Sequence, residues 1–382
     1  MRVGIAGAGA IAMGYAAFLD KQGHSASIWS PSGRGTAELS KGVALTITGA
    51  IEGEFRPTVC QTAEELAAID VIVLALPAYG HRSVIEALIP FIHQNHTVVI
   101  SGHLSFAALF LARRLADRGL EIPIVAWSTT LLTSKQRDLN TFNIGTIRGK
   151  VDMATLPVNF ADAGHATCAN LFGDRFNLKD DLLTIALSNL NPQNHLAVAL
   201  CNLTRIERGE TWGQNTNLTS AVGNLIEALD RERVAIASAF GKNVRTVFDH
   251  YRLTHNVTGG SVGEAAAAVT ARGNDPMGPK NLDTRYILED VPFGLTPTLL
   301  LAELAGIDTP LHRSGVDIIS ACYGRDLGQG NDLLSEFVPL TRENLLERVA
   351  NGFLRNAPKG TAIRPFRSRR FTDVHKTQSK PR

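Results

Sequence analysis

Strand-like and helix-like segments alternate through the first third of the chain. The strand-like apolar runs are residues 3–6, 25–29, 70–76, 97–101 and 124–127. Segments with helical spacing lie between them, at residues 13–22, 62–68, 79–91 and 104–118. Runs as apolar as 70–76 are typical of strands buried on both faces of a parallel sheet. Two further strand-like stretches, 43–48 and 54–59, are separated by glycines and predict a hairpin or paired strands.

The pattern changes near residue 148. A stretch rich in Asp, Gly and Asn follows, and strand-like runs become scarce. Helical spacing then dominates, at residues 180–190, 192–208, 220–240, 262–270, 297–305 and 311–323. We therefore predict an α/β Rossmann-type doubly wound N-terminal domain followed by an all-helical C-terminal domain. The expected bounds are 1–150 for the dinucleotide-binding domain, 151–179 for a connecting region, 180–354 for the helical domain and 355–382 for a tail.

A glycine loop follows the first strand, in the sequence V-G-I-A-G-A-G-A-I-A. Gly7 allows a tight turn, and Gly9 lets the backbone approach a pyrophosphate. Ala10 and Ile11 open a helix whose first amides would face that anion, and Ala12 is small enough for close helix–strand packing. Because the loop joins a strand to an amphipathic segment, it predicts a dinucleotide site, with a purely structural turn as the alternative.

The end of the second strand is expected to meet the adenosine ribose. NAD-binding proteins usually carry Asp or Glu there, whereas this chain has Ser30, Ser32 and Arg34. Two hydroxyls and a guanidinium suit a 2′-phosphate, which favours NADP and leaves NAD open. After the run at 70–76, Leu76 and Pro77 are expected to shape the cofactor pocket; Pro77 as a simple strand terminator is the alternative.

Composition narrows the class of protein. Of the 382 residues 44% are hydrophobic and 19% charged, which is ordinary for a globular protein with a large core. There is no bilayer-length apolar run and no secretory signal pattern, and four scattered cysteines predict reduced thiols, so we expect a cytoplasmic protein without membrane or metal. The segment 355–382 carries nine Lys or Arg and one acid, and we expect a solvated tail rather than a nucleic-acid site.

Two blocks in the helical half carry candidate chemistry. The first, residues 189–195, reads N-L-N-P-Q-N-H and ends at His195; the second, residues 283–295, reads D-T-R-Y-I-L-E-D-V-P-F-G-L. Taken singly, His195 could be a structural histidine, and Arg285 with Asp290 could form a salt-bridged helix junction. Behind an N-terminal glycine loop, the two blocks together resemble the octopine/nopaline (opine) dehydrogenase family over most of the chain up to about residue 325.

The resemblance implies a two-domain enzyme that condenses an amino acid with a 2-oxo acid using NAD(P)H. It matches His195 to the catalytic histidine, Asp290 to its paired aspartate and Arg285 to the arginine of the same site. The residue types suit that chemistry, since imidazole moves protons near neutral pH, a carboxylate fixes its tautomer, and a guanidinium binds carboxylates. One departure is the loop at 101–105, which reads S-G-H-L-S where the family often has a P-G-R-T-G-like pattern.

Other activities stay open at this point. A ketopantoate-reductase-like or 2-hydroxyacid dehydrogenase shares the layout, but those enzymes rely on a lysine that residues 181–208 lack. A non-catalytic NADP-binding sensor is the alternative of another class. The expected partners are small-molecule substrates, and the assembly is left open, a homodimer being one form.

Overall fold

The computed structural model describes residues 1–102 and 106–354. The strands are β1 Arg2–Ala6, β2 Ser25–Trp29, β3 Leu45–Gly49, β4 Gly53–Phe55, β5 Thr58–Val59, β6 Val71–Leu74, β7 Thr97–Ile100, β8 Ile124–Trp127, β9 Leu132–Asp138, β10 Thr141–Ile147, β11 Val151–Leu156 and β12 Phe176–Leu178. The helices are α1 Ala10–Lys21, α2 Ala37–Ser40, α3 Ala63–Ala67, α4 His81–Leu88, α5 Ala107–Ala116, α6 Ala161–Phe172, α7 Leu182–Ser188, α8 Asn191–Cys201, α9 Leu203–Glu207, α10 Ser220–Ala239, α11 Val247–His255, α12 Val262–Ala271, α13 Arg285–Leu288, α14 Thr296–Ala305, α15 Pro310–Cys322 and α16 Arg342–Asn351.

The larger sheet confirms the doubly wound prediction. Its strand order is β12-β11-β8-β7-β6-β1-β2-β5. The six neighbouring strands β8, β7, β6, β1, β2 and β5 run parallel to one another. The side chains of β6, β7 and β8 are entirely buried, as expected for parallel strands covered on both faces. Chain order reverses between β1 and β6, and ligands of such sheets bind beside that point, outside the carboxyl ends of the strands. The fold therefore places a cleft next to the glycine loop.

A smaller sheet closes one side of that cleft. Among the described residues it has the order β4-β3-β10-β9, and β9 packs directly on α1. A Cβ at Gly14 would lie 2.8 Å from Cδ1 of Leu132, so any larger residue would have to displace that side chain. The Tyr15 hydroxyl bonds Ser101 Oγ at 2.6 Å and accepts from the Leu131 amide at 2.9 Å, joining the two sheets. The sequence predicted the β3–β4 hairpin, but β9 and β10 were missed.

The segment 151–179 differs from the predicted connecting region. It contains β11, α6 and β12, which extend the larger sheet, with β11 antiparallel to β8 and parallel to β12. Every residue of β11 is buried, and a Cβ at Gly164 of α6 would overlap Oγ1 of Thr155 at 2.4 Å. Asp152 and Thr155 interrupt the apolar pattern of β11, so the sequence did not predict a strand here, although this strand is buried on both faces.

Helices make up the second half of the described chain, as predicted. The long α10 lies at its centre and contacts α8, α12, α14 and α15. The helices α11, α13 and α16 were not anticipated. No helix in residues 1–102 and 106–354 is long and apolar enough to cross a membrane. The predicted basic tail, 355–382, lies outside the described residues.

Candidate active site

The glycine loop has the geometry that the sequence required. Gly7 adopts φ +126°, and a Cβ there would lie 2.3 Å from the carbonyl oxygen of Ala75. Its amide donates to the Trp29 carbonyl at 2.8 Å, which fixes the turn against β2. Only glycine satisfies both the left-handed φ and the close approach of the two chain segments.

The turn leads into an uncapped helix. Gly9 is the N-cap of α1, and within the described part of the chain no side chain caps that helix with a hydrogen bond. A Cβ on Gly9 would meet no atom of residues 1–102 and 106–354 within 4 Å, so the backbone there is open to a ligand. Free amides at the positive end of a 12-residue helix form an anion site. These residues fit the pyrophosphate of a dinucleotide.

The predicted ribose-binding residues lie beside this loop. Arg34 begins a short turn, Arg34–Thr36, and a Cβ at Gly35 would lie 2.7 Å from the Cβ of Ala8. The turn therefore packs against the glycine loop. Arg34 is exposed, and Ser30 is half-buried at the end of β2.

The two blocks of the helical half meet as a histidine–aspartate pair. His195 Nδ1 lies 2.6 Å from Asp290 Oδ2, with 12% of the histidine side chain and none of the aspartate side chain exposed. The imidazole stacks on the Tyr286 ring, with centroids 3.6 Å apart and planes 6° apart. The Tyr286 hydroxyl in turn donates to Gln214 Oε1. The imidazole is therefore held both at its edge and on its face.

Tight backbone packing supports this pair. Asp290 precedes a turn of π-helix, Val291–Leu295, a conformation that is frequent at functional sites. A Cβ at Gly294 would lie 2.4 Å from Cγ of Pro192 in the first turn of α8. Glycine thus lets the segment carrying Asp290 come close enough to reach His195, one turn further along α8.

Glu289 joins the two halves of the molecule, and the sequence reasoning missed it. Its Oε1 accepts a hydrogen bond from the Ala78 amide at 2.9 Å, directly after Pro77. Its Oε2 lies 3.8 Å from Nε of Arg285, whose side chain is 60% exposed. Burial raises the pKa of Glu289, while the charge of Arg285 opposes the rise. Arg285 is therefore paired with Glu289 rather than with Asp290.

A cleft of about 570 Å³ runs between the larger sheet, the smaller sheet and the helical half. Of the predicted site residues it is lined by Gly9, Ala10, Ile11, Leu76, Pro77 and Arg285. The residues that form its walls do not include Gly7, Ser30, Arg34, His195 or Asp290, although Asn191, one helical turn before His195, does line it. His103, in the loop that departs from the family pattern, lies outside the described residues.

The smaller sheet contributes charges that the sequence reasoning overlooked. Lys135, Arg137 and Arg148 line the cleft together with Arg285, whereas Glu289 is the acidic residue of its described lining. An excess of cations suits an anionic dinucleotide and carboxylate substrates. The polar composition of β9 concealed this wall, and the apolar alternation of β10 is short, at Phe142 and Ile144.

Two family models match separate parts of the chain. The model described as NAD/NADP octopine/nopaline dehydrogenase, alpha-helical domain, matches residues 178–323. The model described as ketopantoate reductase PanE/ApbA matches residues 3–102. The first match contains His195, Arg285 and Asp290, and the second contains the glycine loop.

Curated and structural relatives cover most of the chain. The opine dehydrogenase of Arthrobacter sp. (strain 1C) is 29% identical over 321 residues, which is 82% of this chain and 88% of the relative. The solved structure of octopine dehydrogenase with NADH and agmatine has a TM-score of 0.77 at 14% identity, covering 95% of this chain and 100% of that chain. NADP⁺-bound yersinopine dehydrogenase has a TM-score of 0.63 at 14% identity, covering 93% and 95%. At these identities the two structures establish the shared fold.

Proposed function

We propose that this chain, which is similar to opine dehydrogenases over most of its length, is a member of that family and condenses an amino acid with a 2-oxo acid at the expense of a reduced nicotinamide. The balanced reaction joins the amine, the 2-oxo acid, NAD(P)H and a proton into a secondary amine, NAD(P)⁺ and water. The observation that carries the proposal is the buried pair of His195 and Asp290 beside a cleft that leads to the glycine loop.

The amides after Gly9 would hold the cofactor pyrophosphate, and Leu76 and Pro77 would line the path towards the nicotinamide. When bound, the reduced nicotinamide supplies a hydride to the carbon of the substrate imine. We propose NADP as the preferred cofactor, because Ser30 and the exposed Arg34 suit a 2′-phosphate and the strand end carries no competing carboxylate.

His195 would transfer protons at Nε2. With Asp290 ionised, its Oδ2 accepts from Nδ1 and leaves the other ring nitrogen for the substrates. Nε2 then takes a proton from the attacking amine and returns one to the hydroxyl that leaves as water, which forms the imine. Because Asp290 is fully buried, it acts through the histidine: it fixes the tautomer and stabilises the imidazolium.

Arg285 would hold a substrate carboxylate. Its guanidinium is exposed towards the cleft, and its ion pair with Glu289 is long at 3.8 Å, so nitrogens remain free for a two-pronged contact. Glu289 orients this arginine and ties it to the loop after Pro77. Both condensing partners carry a carboxylate that such a group would recognise.

An omission experiment tests the proposal. NADPH oxidation is followed with an amine alone, with a 2-oxo acid alone and with both, over a matrix of amino acids and 2-oxo acids. We expect oxidation only when both partners are present. Oxidation by the 2-oxo acid alone would favour the ketopantoate-reductase-like activity to which the match over residues 3–102 points. Cofactor binding without any oxidation would favour a sensor.

A further inference from the structure

A recess opens from the cleft on the side away from the glycine loop. We call it the side chamber; it has a volume of about 150 Å³ and shares Ser128, Thr129, Arg148, Asn189 and Asn191 with the cleft. It ends against α11, where Arg245 and His250 line it. The proposed mechanism makes no use of this space.

Positive charge dominates the side chamber. Its described lining carries the cations Arg148, Lys150 and Arg245 against one carboxylate, Asp152. Asp152 is already shared between two cations: Lys179 Nζ lies 3.6 Å from its Oδ2, and Arg245 Nη2 lies 3.7 Å from its Oδ1. Lys150 is paired at 2.7 Å with Asp174, which does not line the chamber, so the excess positive charge rests on Arg148 and Arg245 and favours an anionic occupant.

Arg148 is the cation of the side chamber that also lines the cleft. Its Nε donates to the Thr130 carbonyl at 2.8 Å, which fixes the plane of the guanidinium. In residues 1–102 and 106–354 it forms no ion pair, and burial lowers its pKa. His250 responds to the same field: burial, the neighbouring His255 and the charges of Arg148 and Arg245 lower its pKa to about 4. The histidine is therefore neutral near pH 7 and leaves the anion to the arginines.

The position of the side chamber favours substrate over cofactor. Ser128 and Thr129 follow β8, which is four strands from β2, the strand that ends at the proposed ribose site. At ~4.8 Å between strands, that separation is about 19 Å. Asn191, by contrast, is one helical turn from His195. The chamber thus lies at the reacting end of the cleft.

We infer that the side chamber binds a second carboxylate of one substrate, so that the enzyme prefers a dicarboxylic amino acid or a dicarboxylic 2-oxo acid. This inference rests on the proposed function. Arg148 and Arg245 would form charge-assisted bonds to the carboxylate, with the hydroxyls of Ser128 and Thr129 as further donors. A volume of about 150 Å³ equals roughly five water molecules, which suits a carboxymethyl or carboxyethyl group.

Matched substrate pairs test the inference. Glutamate is compared with glutamine as amino donor, and 2-oxoglutarate with 2-oxopentanoate as acceptor, each at saturating NADPH. We expect kcat/KM to be at least about 10-fold higher for the acidic member of one pair, because a site built for a charged group rejects the neutral analogue. Equal values in both pairs, or a preference for the neutral members, would overturn it.

Arg245→Gln localises the effect. We expect KM for the preferred dicarboxylate to rise about 10-fold or more, while kcat/KM for the neutral analogue and the Kd of NADPH stay unchanged. The exposed Arg231→Gln on α10 is the matched control and should alter none of these values. A weaker Kd for NADPH instead would assign the chamber to a cofactor phosphate and refute the inference.

Direct binding separates failure of the inference from failure of the proposed function. Binding of glutarate to the NADP⁺-loaded protein is measured by calorimetry in wild type, Arg245→Gln and Arg148→Lys. Loss of glutarate binding in both variants would support the inference that the side chamber binds a carboxylate. If no pair of substrates oxidised NADPH in that case, only the proposed function would be refuted. Undetectable glutarate binding to the wild type, or binding that both variants retain, contradicts the inference.

Discussion

Replacing Asp290 by asparagine is the most informative perturbation of the buried pair. The asparagine side chain has the same shape as the aspartate it replaces. The Asp290 carboxylate is wholly buried: its Oδ2 contacts His195, and its Oδ1 has no hydrogen-bond partner among the described residues. Asparagine therefore removes a buried charge without creating a cavity. We expect the melting temperature and the Kd of NADPH to stay close to wild type while turnover falls.

The size of that fall follows from the contact. A hydrogen bond to a charged group contributes about 1.5–3 kcal/mol, and Asp290 makes one such bond, at 2.6 Å, to the ring that becomes an imidazolium. If that energy is lost only when the imidazolium forms, kcat drops by about 10- to 150-fold. His195→Ala removes the proton-transfer group itself and should cost about 10²- to 10⁴-fold.

A double-mutant cycle decides whether Asp290 acts through His195. NADPH oxidation is measured in both single variants and in His195→Ala/Asp290→Asn, with cofactor affinity determined separately. We expect the double variant to be no slower than His195→Ala, since Asp290 has no ring left to orient. Additive losses in kcat, or a parallel loss of NADPH affinity in Asp290→Asn, would refute this reasoning.

Three further predictions concern the cofactor loop and the contact between the two halves. Gly7→Ala should lower the free energy of unfolding by about 2 kcal/mol or more in urea titrations, because Gly7 has a φ of +126° and its Cβ would lie 2.3 Å from the Ala75 carbonyl oxygen. Gly9→Ala should keep the wild-type stability and lose only cofactor affinity. Equal stability of the two variants would contradict this prediction. Arg34→Ala should raise the Kd of NADPH about 10-fold and leave that of NADH unchanged in fluorescence titrations, and equal losses for both cofactors would exclude a 2′-phosphate contact. Glu289→Gln should remove a pH dependence of stability. The pKa of Glu289 is raised in the folded state, so at pH values between the ordinary glutamate pKa and the raised one the folded chain binds more protons than the unfolded chain. The stability of the wild type therefore falls as the pH rises through that range. Unfolding titrations from about pH 4 to about pH 8 should show a smaller fall in the variant, whose amide oxygen still accepts from Ala78, and identical profiles would refute the assignment.

Local pattern was enough for the parts of the fold whose signal is strong. The apolar runs at β6, β7 and β8 are long enough to identify buried parallel strands, and the helical half follows from its periodicity. The β11 strand was missed because Asp152 and Thr155 interrupt its apolar character, although both are buried by tertiary packing. The exposed β9 has a weak period, so its pairing with β10 could not be inferred from residue type alone.

In the candidate site, too, the sequence predicted some residues, while contacts between distant parts of the chain required the structure. The family resemblance, which the comparisons confirm, singled out His195 and Asp290. Without that resemblance, residue type and spacing do not distinguish the roles of the neighbouring carboxylates at 289 and 290, whereas the structure shows one on the Ala78 amide and the other on His195. The hydrogen bond from Ala78 to Glu289 spans 211 positions of the chain, so only the folded structure reveals it.

Isotope transfer tests the central claim most directly. The enzyme is supplied with NADPH carrying deuterium at the transferable C4 position, together with a reactive amino acid and 2-oxo acid, and the products are analysed by mass spectrometry. The account predicts a secondary amine with one deuterium on the carbon that was the keto carbon of the 2-oxo acid. Deuterium found in a 2-hydroxy acid, with no secondary amine formed, would contradict it.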